Sequence, residues 1–466
     1  MLRGFSLGFA FTLVAFLSFA FASDTLALWA YVLVGVLAVI TARLFPRGVA
    51  MAALAVGPAI GWMWSISLPP TVYTERIFAG SIDVPVSEVI AAVGLMSMLI
   101  LLLHEGRWTQ AWKRLPFVYS YAALVGAHLV SAFSAARPDP LAVIKFSLRP
   151  VAFSYGAYVA LPVLLLRSWQ KVRQAFGLFV IGASLFALQG LASLVVNERW
   201  QIGIAHRARP LSVFGVYPIG ANHNVLAEWL VVAAPFALAL AAWTHDRALR
   251  RWLSAAAVLC YGVAMLTFAR SAWIVMVVQS MVLFATVWRP ALVRVWKVVR
   301  RGAWVLFAPL VAYMGWFSLR AEVASSTDAR AMLTGIAWQW FTLHPLVGAG
   351  AGTFVSRVDA TWSYRLLFGG AMDAHGVVQK PLAETGLIGI AAYLLVSVVI
   401  ARLAVMAVRR MGWAHRMGEG LVFAAVGMMG AWVYQLFNTT YWSAKLWLPI
   451  GLFFAAANLC RRSKYV

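Results

Sequence analysis

Long apolar runs, broken by short polar or basic stretches, succeed one another from the first residues of the chain to the last. The runs are continuous rather than alternating. Lipid offers backbone N–H and C=O groups no water, so such runs form helices rather than the strands of a barrel. Crossing about 30 Å of hydrocarbon takes about 20 residues. On that basis the pattern predicts spans near 5–22, 26–42, 49–64, 85–103, 117–135, 150–166, 174–196, 222–243, 252–269, 271–288, 302–318, 386–401, 420–438 and 446–460. Two or three of these are short enough to be re-entrant or merged. The expected fold is an all-α, polytopic membrane bundle of 12–14 transmembrane helices. It divides into helices with short loops over 1–318, one large outward loop over 319–385 and closing helices over 386–466, all within one integrated membrane domain. No tandem repeat or separate soluble domain interrupts the pattern.

Three polar segments are long, 65–84, 197–221 and above all 319–385, and long loops of this kind are commonly functional. Inside the last, residues 329–343 have helical apolar spacing with Asp328 as the expected N-cap, and His344-Pro345 ends that helix. Gly348, Gly350 and Gly352 predict a small-residue turn. A second helix is expected from near Asp373 through His375, Gln379 and Ala383 towards Gly386, kinked at Pro381. Both helices are amphipathic enough to lie at the outer membrane interface.

Composition closes off the soluble classes. The chain is 63% hydrophobic and 11% charged, with a mean hydropathy of +0.83, whereas a soluble domain carries about 25% charged residues. The net charge of +23 is a topology signal rather than a nucleic-acid footprint. With the N-terminus in the cytoplasm, 24 of the 38 Lys and Arg fall on the inner side, against only Glu105, Asp246 and Glu419 among the acids. That is the positive-inside bias, and every inward loop obeys it. Arg3 precedes the first run, but no small-residue cleavage site follows, so it reads as a retained helix. Cys260 and Cys460 sit in predicted spans as small hydrophobes and imply neither a disulfide nor a metal site.

The residues able to carry chemistry crowd the outer face. His375 lies about ten residues outside the span expected at 386, where a neutral imidazole can accept a proton near pH 7. Asp373 and Glu384 are near enough in sequence to orient it. A solvated loop histidine accounts for the same spacing. Arg209, Arg270 and Arg330 stand at the hydrocarbon edge, where an arginine pairs or snorkels. Three of them on the face of a lone histidine also make a set of planar forks matched to phosphate oxygens. Asn222, His223 and Asn224 supply hydrogen bonds at the head of a helix. The glycine run lacks a preceding strand and reads as a turn rather than a nucleotide loop. The eight histidines are dispersed, and no metal-ligand spacing recurs.

Taken together these residues resemble the O-antigen ligase/polymerase superfamily of membrane glycan transferases. The pattern of that family is a histidine, usually followed by Asn, Ser or Gln, then nine residues and Gly-x-x-Gly. Asp373-Ala-His-Gly-Val-Val-Gln-Lys-Pro-Leu-Ala-Glu-Thr-Gly-Leu-Ile-Gly389 has His375 with Gly386 and Gly389 at that spacing. Gly376 departs from the usual Asn, Ser or Gln neighbour. Arg209 with Phe214-Gly215 and Asn222 to Asn224 is similar to the family's Arg…Phe-Gly-Asn-x-Asn segment. Arg330, Trp338, His344-Pro345, Gly348, Gly350 and Phe354 are similar to the opening of its large periplasmic loop. Thr267-Phe-Ala-Arg270 is similar to its Thr-x-Ser-Arg turn. The likeness covers roughly 205–390.

What the resemblance implies is an inverting, metal-independent glycan transfer on the periplasmic side, with no cofactor. The donor would be a polyprenyl (undecaprenyl) diphosphate-linked glycan and the acceptor a glycan or glycolipid hydroxyl, with membrane lipids around both. His375 would be the general base. Arg209, Arg330 and Arg270 would bind the diphosphate, supported by Asp373, Gln379, Glu384, Asn222 and Asn224. The setting would be the bacterial inner membrane, with both termini cytoplasmic and the site outside. A polymerase extending the lipid-linked glycan, a protein O-glycosyltransferase, and, from another class, a polysaccharide or lipid transporter are the rival readings. Transporters place ionisable groups at the membrane midplane, whereas here the span centres are nearly free of charge.

Overall fold

The computed structural model describes residues 46–57, 63–67, 81–134, 144–195, 207–212, 217–288, 321–370, 372–374, 376–412, 415–438 and 443–463, with Ile40 and Leu44. The spans expected at 5–22 and 302–318, and all of 26–42 but Ile40, lie outside the described residues.

In chain order the elements are α1 (Pro46–Val56), a hairpin of β1 (Met63–Ser67) and β2 (Ser81–Pro85), α2 (Val86–His104), α3 (Trp108–Trp112) and α4 (Val118–Ser134). A π-helical stretch over Ile144–Phe153 and Gly156–Ala160 runs into α5 (Leu161–Leu165). Then come α6 (Trp169–Val195), α7 (His223–Trp243), α8 (Arg247–Leu266), α9 (Arg270–Ala285) and α10 (Ala321–Leu343). The series closes with α11 (Phe354–Asp359), α12 (Trp362–Phe368), α13 (Gln379–Met411), α14 (Arg416–Tyr434) and α15 (Ala444–Ser463).

Among the described residues six helices, α2, α6, α7, α8, α13 and α14, are long and apolar enough to cross a membrane. Shorter apolar helices occupy α4, α9 and Val151–Leu165. The protein is therefore a multi-pass membrane protein, helical among the described residues apart from that one short hairpin. One expected span is corrected: over 49–64 the helix stops at Val56, and Met63 already opens the antiparallel hairpin, in which Met63 faces Pro85 and Ser67 faces Ser81. Gly57-Pro58 in the sequence explains the break, because proline lacks the N–H and clashes with the preceding turn. Eleven helical residues reach only about 16 Å at 1.5 Å each.

The chain divides into two compact units. The first comprises 1–116, 153–273 and 443–466. Its axis is α7, apolar all round and buried along nearly its whole length, as a helix enclosed by others should be. Aromatic rings from α6 stack along it. Phe176 meets Phe236 and Trp243 at 4.8 and 5.2 Å, and Phe179 meets Trp229 and Phe236 at 5.4 and 5.3 Å. Such offset and edge contacts add about 0.5–1.5 kcal/mol each beyond burial. Against α15, α7 presents Glu228, whose carboxylate lies 3.8 Å from the Lys445 ammonium, and both side chains are at most 2% exposed. This pair is absent from the sequence expectations.

The second unit comprises 117–152 and 274–442. There α4 packs along α13, and Gln279 of α9 donates from Nε2 to the Val426 carbonyl of α14 at 3.3 Å. Gly430 leaves the space that the Gln279 amide fills. A small residue opposite an amide is a common way to hold two helices together in lipid.

Candidate functional site

The segment expected as the large loop is a folded body in the second unit. Leu333, Ile336 and Ala337 of α10, Phe354 and Val358 of α11, Tyr364 of α12, Ala374 and Ala383 share one buried apolar cluster, with Met332, Trp340 and Phe368 packed against it. The Arg357 guanidinium lies 3.9 Å over the Trp340 ring. Burial pushes the Tyr364 hydroxyl pKa up. The helix expected over 329–343 is longer, running Ala321–Leu343, so Asp328 sits inside it and is no N-cap. The helices α11 and α12 were not expected. Each has six or seven residues, too few for the apolar period to stand out.

The body is locked to α13 by an exchange of backbone partners. In an unbroken helix the Leu387 and Ile388 N–H groups would donate to the Ala383 and Glu384 carbonyls. Gly386, at φ 62° and ψ −156°, breaks the helix. Leu387 and Ile388 donate instead to Pro345 and Leu346 at 2.9 and 3.1 Å, and the freed Ala383 and Glu384 carbonyls accept from Ala349 and Gly350 at 2.8 and 3.1 Å. Ser131 of α4 adds a hydroxyl bond to the Glu384 carbonyl at 2.5 Å. The backbone groups freed by the break are thus re-paired, as buried ones must be. The glycine run is the turn the sequence predicted, and its partner is the Gly386 break. The expected kink at Pro381 is corrected: α13 begins at Gln379 rather than near Asp373, so Pro381 falls in its first turn. N–H groups there have no intrahelical partner, and proline loses nothing.

His375 lies outside the described residues, as do Phe214 and Gly215. Its sequence neighbours Ala374 and Gly376 are described and buried. A Cβ at Gly376 would come 3.1 Å from the Leu436 carbonyl, so the departure from a polar residue there coincides with tight packing on the end of α14. Asp373 is engaged by Lys380, whose Nζ donates to its two oxygens at 2.9 and 2.7 Å. Glu384, 2% exposed, accepts the Phe354 N–H on Oε1 at 3.0 Å and so anchors the start of α11. Gln379 donates from Nε2 to Thr334 Oγ1 at 2.5 Å, and Thr334 donates on to the Arg330 carbonyl at 2.8 Å. Arg330, Asp373, Gln379 and Glu384 therefore belong to one body.

Arg209, Arg270, Asn222 and Asn224 belong to the first unit. Ala208 donates its N–H to the Leu266 carbonyl at the end of α8 at 2.7 Å, and the Arg209 N–H donates to Ser193 Oγ at 2.9 Å. Arg270 opens α9 just beyond that same end of α8, after Phe268 at φ 53° and a Thr267 hydroxyl that accepts the Ala269 N–H. The backbones of Arg209 and Arg270 thus flank one helix terminus. Asn222 caps α7, its Oδ1 accepting the Asn224 N–H at 2.9 Å, the role expected for that cluster. Lys380, Thr334 and Ser131 were missed by sequence reasoning. Only the i, i+7 opposition of charge between Asp373 and Lys380 could have signalled one of them. Among the described residues no three His, Cys, Asp or Glu side chains group as metal ligands.

Residues 255–394 match the family model described as O-antigen ligase. The chain carries a domain of the O-antigen ligase/polymerase superfamily, as its resemblance implied. No curated protein matches it. The matched segment runs from within α8 into the first half of α13 and holds Arg270, Arg330, Asp373, His375, Gln379 and Glu384, while Arg209, Asn222 and Asn224 precede it. The match supports glycan transfer of the O-antigen ligase/polymerase type in general.

Proposed function

We propose that the protein is an inverting, metal-independent glycosyltransferase of the O-antigen ligase kind. It moves a glycan from a polyprenyl diphosphate, of the undecaprenyl type, onto an acceptor sugar hydroxyl at the periplasmic face of the bacterial inner membrane. The observation that carries this reading is the shared body of Arg330 and the 373–380 segment, joined through Thr334 and Gln379 and lying within the family match.

In the reaction the acceptor oxygen attacks the anomeric carbon while the bond to the diphosphate oxygen breaks. His375 takes the acceptor proton. The diphosphate leaves with the bonding electron pair, and Arg330 neutralises the charge that grows on it, a role the resemblance also implies for Arg209 and Arg270. The donor is already activated, so the protein's part is positioning and charge stabilisation. A bidentate arginine fork suits a diphosphate better than a lysine does.

The test is glycan profiling of His375→Ala, Arg209→Ala and Arg330→Ala with membrane expression verified. The expected outcome is loss of transfer and accumulation of lipid-linked glycan. Full-length chains on the lipid would mark a ligase, and single repeat units a polymerase. A well-expressed His375→Ala variant with full activity would refute the general-base assignment.

A further inference from the structure

The segment 373–380 is pinned at more points than a surface loop needs. Ala374 belongs to the buried cluster of the loop body. Gly376 lies against the backbone of Leu436. The Val377 N–H donates to the Gln435 carbonyl at 2.9 Å, and the Val377 side chain is 2% exposed. Across the ends of this segment, Lys380 Nζ bonds both oxygens of Asp373 at 2.9 and 2.7 Å, with Asp373 Oδ1 also accepting the Ala374 N–H at 2.8 Å. The lysine side chain is 12% exposed and the aspartate 35%. The lysine charge also acts electrostatically on His128 of α4 and Glu384 of α13. A cation so far out of water is costly unless its counter-ion is held in place, and this one closes a ring of eight residues in which His375 is the third.

We propose that Asp373 and Lys380 form a charge clasp that fixes the histidine segment, making Lys380 a positioning residue for the transfer. The proposal rests on the reading of His375 as general base. Lys380 neutralises the aspartate and ties the start of α13 to the residue two before the histidine. It transfers no proton and touches no substrate. Opening the clasp frees the segment to drift from its seat on α14, and a displacement of about 1 Å at a reacting group costs on the order of 100-fold in rate. The loss falls on kcat, because donor binding is the work of the arginines.

The experiment uses purified full-length protein carrying Val377→Cys, with a polar maleimide as the probe. Cys260 and Cys460 are buried and give a low background. In this parent the introduced thiol is expected to be protected. Adding Lys380→Met or Asp373→Asn should raise its labelling rate about tenfold or more. In the otherwise native chain the same changes should lower kcat about tenfold or more with little change in KM for the donor. The charge-reversed pair Asp373→Lys with Lys380→Asp should restore both readouts in large part. The clasp is refuted if Lys380→Met leaves the introduced thiol protected and kcat intact. It is equally refuted if the reversed pair restores protection but not kcat, since Lys380 would then act on the substrate itself. An active His375→Ala would overturn the general-base reading alone, and the labelling would still decide the clasp.

Discussion

Gly386 and Gly348 show how much of the loop body depends on single atoms that are missing. Both have positive φ, 62° and 73°, a region costly for any residue with a Cβ. A Cβ on Gly386 would meet the Leu346 carbonyl oxygen at 2.6 Å and the Gly348 nitrogen at 2.7 Å, while one on Gly348 would strike the Glu384 and Thr385 backbone. The neighbours are backbone held by four hydrogen bonds and have no room to give. Gly386→Ala and Gly348→Ala are each expected to lower stability by about 2–4 kcal/mol and to abolish transfer, whereas Gly370→Ala, which meets nothing within 4 Å, should be close to neutral. Thermal unfolding in detergent measures the difference. Glu384 makes a second residue-scale case, because its Oε1 accepts the Phe354 N–H. Glu384→Gln keeps an acceptor and should cost little. Glu384→Ala leaves a buried donor unsatisfied, at about 1–3 kcal/mol.

At the scale of elements, the long spans were legible because an apolar run of lipid-crossing length has few other uses. The prediction of 85–103 found Val86–His104, and 222–243 found His223–Trp243. The failures were local. Asp328 has the chemistry of a cap, but α10 continues upstream of it. Pro381 has the chemistry of a kink, but its place in the first turn removes the reason for one. The Glu228–Lys445 pair was invisible because its members are 217 residues apart and each, taken singly, reads as the polar end of a span. Removing one partner of a buried pair costs far more than removing both. Glu228→Leu and Lys445→Met are each expected to destabilise the first unit by about 3–5 kcal/mol, and the double replacement by much less. A double-mutant cycle on unfolding temperature reads this directly. Equal, additive losses would mean that the two charges do not interact.

For the whole molecule the strongest inference from sequence is orientation, and it links the described residues to those outside them. The positive-inside bias predicts 104–116 and 289–301 in the cytoplasm and 319–385 outside. The chain must then cross the membrane an odd number of times between the end of α9 and the start of α10, and the apolar run 302–318 is long enough for one crossing. Without that crossing the loop body around Tyr364 and the basic segment 289–301 would share a compartment, against the positive-inside bias. Single cysteines test it. Thr109→Cys and Ser363→Cys are both at exposed positions, and the native cysteines are buried. In intact spheroplasts an impermeant maleimide is expected to label the cysteine at 363 and to spare that at 109 until the membrane is opened. A cysteine replacing Val298, within the basic segment, should behave like the one at 109. Labelling at 298 and 363 together would remove the crossing at 302–318, place the basic segment outside and break the topology on which an outward-facing active site depends.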